Sequence, residues 1–274
     1  MTPEAVDHNL TPLADRPFGL TFRKSVFAMS LQYEHTEDAR YALVTGASRG
    51  IGAEVAERLA TEGYQLTVSA RHEATLADSV ERLARLRSVH VHSEAVNLAV
   101  QKDVHRLVQS HKYQYGELDV LVLAAGMGNM SRTADLSTWD ADIRFTVGVR
   151  SAFLLVGACL PMLRRAAGRN PGRGARVIAV APGPESGRAH KDALVSLCEK
   201  LNHDEADNGV TATTISPGEL DNEMTMWQEG HVTTEEMVIS ADVADVVVAL
   251  TQLSGNLVAP NIVLARQNSR VLPG

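Results

Sequence analysis

The run Thr45-Gly46-Ala47-Ser48-Arg49-Gly50-Ile51-Gly52 joins an apolar segment, Tyr41–Val44, to an Ala-rich amphipathic segment, Gly50–Thr61, closed by Gly63. Few architectures accommodate three glycines at that junction. Glycine permits a tight turn, lets the backbone approach a ligand, and packs a helix closely against a strand. The helix that follows directs its unsatisfied N–H groups and partial positive charge at whatever lies over the loop, which suits a pyrophosphate. The Gly-x-x-x-Gly-x-Gly spacing therefore predicts Gly46, Ser48, Arg49, Gly50, Ile51 and Gly52 as contacts to a nucleotide, with a plain structural turn as the competing reading.

Beyond this loop the pattern alternates. Tyr64–Ala70, Val89–Val96, Leu118–Ala125, Arg176–Ala181, Val210–Ile215 and Leu257–Leu264 read as strands. Between them, Glu73–Leu86, Val104–His111, Thr138–Ala167, Lys191–Asn202 and Asp242–Leu253 carry apolar residues at helical spacing. Apolar strands alternating with helices imply a parallel sheet covered on both faces, so residues 41–274 are expected to form one doubly wound α/β domain. Residues 1–40 mix prolines, charges and isolated apolar residues without a sustained period. They read as a partly flexible N-terminal extension, with Phe18–Leu31 able to dock on the body or on a neighbouring subunit.

Composition narrows the partners. Thirty-three acidic against twenty-six basic residues give a net charge of −7, a poor surface for nucleic acid or anionic membrane. No apolar run approaches the ~18 residues of a membrane span, and the N-terminus lacks the basic region and apolar core of a signal peptide. Two cysteines, Cys159 and Cys198, make no disulfide framework, in keeping with a reducing, cytoplasmic setting.

The second strand ends in Val68-Ser69-Ala70-Arg71. A site selective for NAD places an acid near this point to bind the ribose 2′-OH. Arg71 instead suits a 2′-phosphate, with Arg49 as a second cation, so NADP(H) is expected over NAD(H).

Together with Leu123-Ala124-Ala125-Gly126 and Ser216-Pro217-Gly218, these motifs resemble the short-chain dehydrogenase/reductase family, across roughly Tyr41 to Leu264. The resemblance implies a Rossmann-like sheet of about seven strands with the cofactor across the strands' carboxyl ends. It further implies that Asn97 and Leu98 flank the adenine and that Gly126 lies along the cofactor. Pro217, Gly218 and Leu220 would meet the nicotinamide, with Asn222 where the family usually has Thr.

The catalytic half departs from that pattern. The family uses a Tyr as general acid/base, a Lys one helical turn later, a Ser that binds the carbonyl oxygen, and an Asn. Lys191 matches the Lys, but the Tyr position is Gly187, the Ser position falls on Ala181-Pro182, and the Asn position is Gly148. All five tyrosines precede residue 116. Lys191 is thus expected to hold the ribose, and His190 is the candidate substitute proton donor, with Glu185 and Ser186 as weaker ones. His190 stands about 100° from Lys191 on a helix, and reaches the cleft if that helix begins at Lys191. Cys198 fits a helix core stripe, and His90 and His92 share a strand face without further ligands spaced to join them for a metal.

Three functions remain compatible: a divergent oxidoreductase acting on a small-molecule carbonyl or alcohol, a silent NADP(H)-binding subunit, or an isomerase or cyclase in the same cleft. Family members commonly pair through the helices matching Thr138–Ala167 and Lys191–Asn202. A homo-oligomer or a pairing with a related chain is therefore expected, with Leu155, Leu160 and Leu163 supplying apolar surface.

Overall fold

A computed structural model of the chain describes residues 38–86, 89–126, 137–182, 188–217, 220–221 and 238–265. The N-terminal extension through residue 37 lies outside them, as do Glu185, Ser186, Gly187, Gly218 and Asn222. The elements run β1 (Arg40–Thr45), α1 (Gly50–Thr61), β2 (Tyr64–Ala70), α2 (Glu73–Ala84), β3 (Val91–Ala95), α3 (Gln101–Gln114) and β4 (Val120–Leu123). They continue through α4 (Thr138–Phe145), a π-helical turn (Thr146–Arg150), α5 (Ser151–Arg169), β5 (Ala175–Val180), α6 (Arg188–Asp204) and β6 (Val210–Pro217). After a short parallel pair, β7 (Leu220–Asp221) and β8 (Val238–Ile239), come α7 (Ser240–Gln252) and β9 (Asn261–Leu264).

The main sheet has seven parallel strands in the order β3-β2-β1-β4-β5-β6-β9. Because side chains alternate along each strand, the sheet builds two cores at once. Ala42, Val44, Val120, Val122 and Ile178 face α1, α2 and α7, meeting Val55, Leu59, Leu76, Val243 and Val247. Leu43, Leu121, Leu123, Val177 and Ala179 face α3, α5 and α6, meeting Val104, Leu107, Leu155, Leu163 and Leu201. This is the expected Rossmann-like, doubly wound architecture. The strand order reverses between β1 and β4, which opens a crevice above their carboxyl ends.

Several expectations are corrected. Leu155 and Leu163 are 1% and 0% exposed and belong to the core, so they offer nothing to a neighbouring subunit. The exposed apolar side chains on that helical run are Trp139, Phe145 and Phe153. Thr138–Arg169 is also one continuous 32-residue helical run, apolar enough by length and composition to span a bilayer, contrary to the sequence count. Its inward face, through Leu155, Cys159, Met162 and Leu163, is packed into the core. Finally, α6 begins at Arg188 rather than Lys191, which places His190 inside its first turn.

The lower end of the sheet is fastened by buried polar groups. Arg176, 4% exposed, donates to Thr211 Oγ1 and to the Leu253 and Ser254 carbonyls, satisfying acceptors that the end of α7 leaves open. Asp119 accepts from the Tyr41 backbone N–H at 2.8 Å and pairs with Arg169 at 2.9 Å. His111 is fully buried, with Nδ1 at 2.8 Å from Thr67 Oγ1 and Nε2 at 3.0 Å from the Glu117 carbonyl. A carbonyl only accepts, so Nε2 carries the proton and Nδ1 accepts from the threonine hydroxyl. Both nitrogens are satisfied by the neutral ring.

Burial holds the His111 pKa down to about 4, well below the 6.5 of a free imidazole. Between those values the unfolded chain binds a proton that the folded one refuses, so stability falls as pH drops from 6.5 toward 4. The expected loss is about 1.4 kcal/mol per pH unit and on the order of 3 kcal/mol across the interval. Urea unfolding of wild type and His111→Gln at pH 7, 6, 5 and 4 measures it. The variant should lose that part of the slope, and parallel profiles would refute the assignment.

Candidate functional site

β1 delivers its last residue, Thr45, to the crevice, and the Thr45 hydroxyl fastens the loop to the neighbouring strand. Oγ1 accepts from the backbone N–H groups of Ala124 and Ala125, each at 3.2 Å, and donates to the Val122 carbonyl at 3.3 Å. The chain then turns at Gly46 with φ +70°. A Cβ on Gly46 would lie 2.8 Å from the Ala124 carbonyl oxygen and the Ala125 Cα. One on Gly52 would lie 2.3 Å from the Gly46 carbonyl oxygen. Both positions therefore exclude every side chain on space alone. Ala47 completes the loop: its N–H donates to the Ser69 carbonyl at 3.0 Å, and its carbonyl accepts from the buried Ser79 hydroxyl at 2.7 Å.

Gly50 differs in kind from the other two. Its φ is +56°, and a Cβ there would meet nothing within 4 Å. Among the described residues, a Cβ on Gly126 at the end of β4 likewise meets nothing within 4 Å. Arg49, the residue that caps α1, makes no side-chain capping bond to the helix, and no acid occupies the first turn. The loop thus presents uncapped N–H groups, an uncompensated helix dipole and open room on one side, which fits a bound phosphate diester. Two buried hydroxyls at the same carboxyl edge, Ser69 Oγ and Ser216 Oγ, have no hydrogen-bond partner among the described residues.

Arg71 follows β2 directly, is exposed, and donates from Nε to His72 Nε2 at 3.0 Å. Arg49 is likewise exposed. Asn97 is exposed and folds back on its own turn, its Oδ1 accepting from Ala99 N–H at 3.1 Å. Leu98 is 6% exposed within the core, so only its backbone can meet a ligand. Pro217 ends β6 beside Leu264 of β9, and Leu220 begins β7.

The catalytic candidates sit on the other flank of the crevice. Lys191 is half-buried on α6. His190 packs against the π-helical turn, its Cδ2 3.3 Å from where a Cβ on Gly148 would stand. The Phe145 ring lies 5.3 Å away, centroid to centroid. Burial lowers the His190 pKa below its usual value, and the Arg144 carbonyl, an acceptor for the ring, opposes that shift. The cysteines are core residues: burial pushes Cys159 up to about 12 and Cys198 up to about 11. His90 and His92 are engaged by the Tyr115 hydroxyl and by Ser110 and Glu94.

Sequence reasoning overlooked Thr45, Ser79 and Phe145. Thr45 had a readable signal, a hydroxyl at the last position of a strand that abuts a glycine loop. Nothing in the sequence pairs Ser79 with Ala47, since the contact depends on how α2 settles on the sheet.

The family's sequence profile, described as short chain dehydrogenase, matches residues 40–231. The chain belongs to that family. It is 32% identical over 191 residues to an uncharacterized oxidoreductase of Staphylococcus saprophyticus, covering 66% of this chain and 79% of the relative. It is 30% identical over 186 residues to a 3-oxoacyl-[acyl-carrier-protein] reductase of Staphylococcus aureus, covering 67% and 76%. Among solved structures, an alcohol dehydrogenase from Thermococcus sibiricus complexed with 5-hydroxy-NADP superposes with a TM-score of 0.76. That match is 22% identical and covers 86% of this chain and all of the other. An actinorhodin polyketide ketoreductase with NADPH gives a TM-score of 0.72 at 25% identity, covering 84% and 97%.

In this short-chain dehydrogenase the Thr45 hydroxyl holds the Leu123-Ala124-Ala125-Gly126 turn against the end of β1. Thr45→Val keeps the shape and removes the hydroxyl, leaving two part-buried N–H groups without this partner. The expected cost is about 1–3 kcal/mol in chemical unfolding. A loss below about 0.5 kcal/mol, the spread of ordinary surface substitutions, would show that the clamp is dispensable.

Proposed function

We propose that this chain is an NADP(H)-dependent oxidoreductase acting on a small-molecule carbonyl or alcohol, with an active site that departs from the family's usual Ser, Tyr and Asn. The observation that carries the cofactor assignment is the end of β2, where Ala70 is followed by the exposed Arg71 and no acid stands beside the phosphate loop. A guanidinium there meets a 2′-phosphate bidentately, whereas a 2′-OH asks for a carboxylate. Several structural neighbours hold NADP or NADPH, although a carveol dehydrogenase of similar fold holds NAD.

Bound in the crevice, NADP(H) would supply or accept a hydride. This chain's residues do the rest. The N–H groups at Gly50, Ile51 and Gly52 hold the pyrophosphate, Arg71 and Arg49 hold the 2′-phosphate, and Asn97 borders the adenine. Lys191 donates to the nicotinamide ribose, and the segment Pro217–Leu220 borders the nicotinamide. Hydride transfer to a carbonyl also needs a proton source, and the sequence offers no tyrosine beyond Tyr115. That absence favours a second reading, a cofactor-binding subunit that pairs with an active relative. NADPH oxidation monitored with a panel of carbonyl compounds separates the two. The exposed Trp139, Phe145 and Phe153 support association of the chain with a second copy or with a related one.

Titration with both cofactors tests the binding scheme. Wild type should bind NADPH more tightly than NADH, and Arg71→Ala should erase most of that preference while leaving NADH affinity nearly unchanged. Lys191→Met should weaken both cofactors by about 1.5–3 kcal/mol, the scale of one charge-assisted hydrogen bond. Equal wild-type affinities for NADPH and NADH would overturn the assignment of Arg71.

A further inference from the structure

The turn that leads from β3 to α3 commits nearly every polar atom of Asn97. Its backbone N–H donates to Asp103 Oδ2 at 2.9 Å, and its carbonyl accepts from the Val100 N–H at 2.9 Å. The side-chain Oδ1 accepts from the Ala99 N–H at 3.1 Å. A backbone N–H only donates, so the oxygen is the end of the amide turned back on the chain, and Nδ2 is the end left over. Asn97 is exposed, and Nδ2 has no partner among the described residues.

The turn is held from both sides. Asp103 pairs with Arg106 at 3.3 Å, and Arg106 Nη2 also donates to the Ala95 carbonyl at 2.9 Å. The Val96 N–H donates to the Ala70 carbonyl at 2.9 Å, which ties the turn to the end of β2. The Leu98 side chain is buried in the core, and its backbone N–H has no partner among the described residues. Backbone N–H groups in packed regions are nearly always paired, so this one is open to a bound partner. Asn97 and Leu98 thus offer two neighbouring donors.

Ala70 and Ala95 are register partners on β2 and β3. Arg71 follows the first directly, and Asn97 stands just past the second, so both lie at the carboxyl edge of adjacent strands. In the cofactor reading above, Arg71 holds the 2′-phosphate. The base is carried by the neighbouring carbon of the same ribose, which brings it to the Asn97 turn. Purines differ in what they present there. Adenine sets the acceptor N7 beside its 6-amino donor, whereas a 6-oxopurine sets two acceptors, N7 and O6, side by side. Two donors match the second edge fully and the first only in part. Resting on that cofactor reading, we infer that Asn97 and Leu98 read the base through its acceptor atoms alone, so that a 6-oxopurine dinucleotide serves this chain at least as well as an adenine one.

A carboxylate in place of the Asn97 amide has the same shape and the opposite sense. One oxygen would still accept from the Ala99 N–H and keep the turn, while the other would present an acceptor where Nδ2 now presents a donor. An acceptor there asks for the 6-amino group and is mispaired with O6. The added negative charge opposes the phosphates of both dinucleotides alike. The ratio of the two affinities, rather than either one alone, therefore reports how the base is read.

Calorimetric titration of the full chain with NADPH and with reduced nicotinamide hypoxanthine dinucleotide phosphate tests this without a known substrate. Wild type should bind the hypoxanthine form within about threefold of NADPH or more tightly. Asn97→Asp should swing the ratio of affinities toward NADPH by at least about tenfold, the low end of the discrimination carried by a base contact. In wild type, the Asn97 side-chain NH2 signals, assigned by their loss in Asn97→Asp, should shift on saturation with either dinucleotide. A wild-type preference for NADPH above about threefold, a ratio unmoved by Asn97→Asp in a folded variant, or NH2 signals that stay in place overturns the inference and leaves the cofactor reading intact. Failure of wild type to bind either dinucleotide overturns both.

Discussion

The close approach of Gly52 to the Gly46 carbonyl and of Gly46 to Ala124 and Ala125 is the constraint on which the rest of the crevice depends. Three segments from two strands and a helix meet there with no space for a methyl group. Close contact of this kind leaves little slack, because interiors are packed densely and deform poorly. Thr45 converts the contact into a directional one, since a single hydroxyl oxygen accepts from two consecutive N–H groups of the opposite strand end. The position of α1 relative to β4 is thereby set, and with it the direction in which the uncapped N-terminus of α1 points. Ser79 and the Ser69 carbonyl fix the far side of the loop through Ala47.

The two ends of the sheet are treated differently. At the amino ends of the strands, Asp119 pairs with Arg169 and Tyr41, Arg176 with the end of α7, and His111 with Thr67 and Glu117, although Arg176 Nε keeps no hydrogen-bond partner among the described residues. At the carboxyl ends, Ser69, Ser216 and His190 each keep a buried polar atom without a partner among the described residues. Unpaired polar atoms cost stability wherever they are buried. They occur at both ends of the sheet, since Arg176 Nε belongs to the amino end, but Ser69 and Ser216 are the ones that border the crevice where the strand order reverses.

Much of this was legible in the sequence, and the exceptions have physical causes. The bounds of α1 and β2 follow from punctuation, since the glycine loop opens one and Gly63 separates the two. The π-helical turn at Thr146–Arg150 left no mark, because the apolar pattern of Thr138–Ala167 continues through it. On a helix that apolar, the inward face cannot be read either, which is why Leu155 and Leu163 were assigned to an interface and proved to be core. The inward turn of the Leu98 side chain was unreadable for a related reason: a position beyond a strand end can bury its side chain while its backbone still lines the crevice. The start of α6 was set three residues late because Arg188-Ala189-His190 carries no apolar residue that α6 must bury.

That late start matters chemically. With α6 beginning at Lys191, His190 would hang in the approach to the helix, where its ring could take any orientation. Beginning at Arg188, the helix gives His190 a fixed backbone and about 100° of rotation from Lys191. Adjacent positions then face different neighbours: Lys191 is left to the cofactor's ribose in the proposed scheme, and His190 turns toward Gly148 and Phe145. A Cβ at residue 148 would stand 3.3 Å from His190 Cδ2, close enough that the imidazole would have to shift slightly. The small residue on the π-helical turn is what gives the histidine on α6 a place to sit, so a change at one position is coupled sterically to the identity of the other.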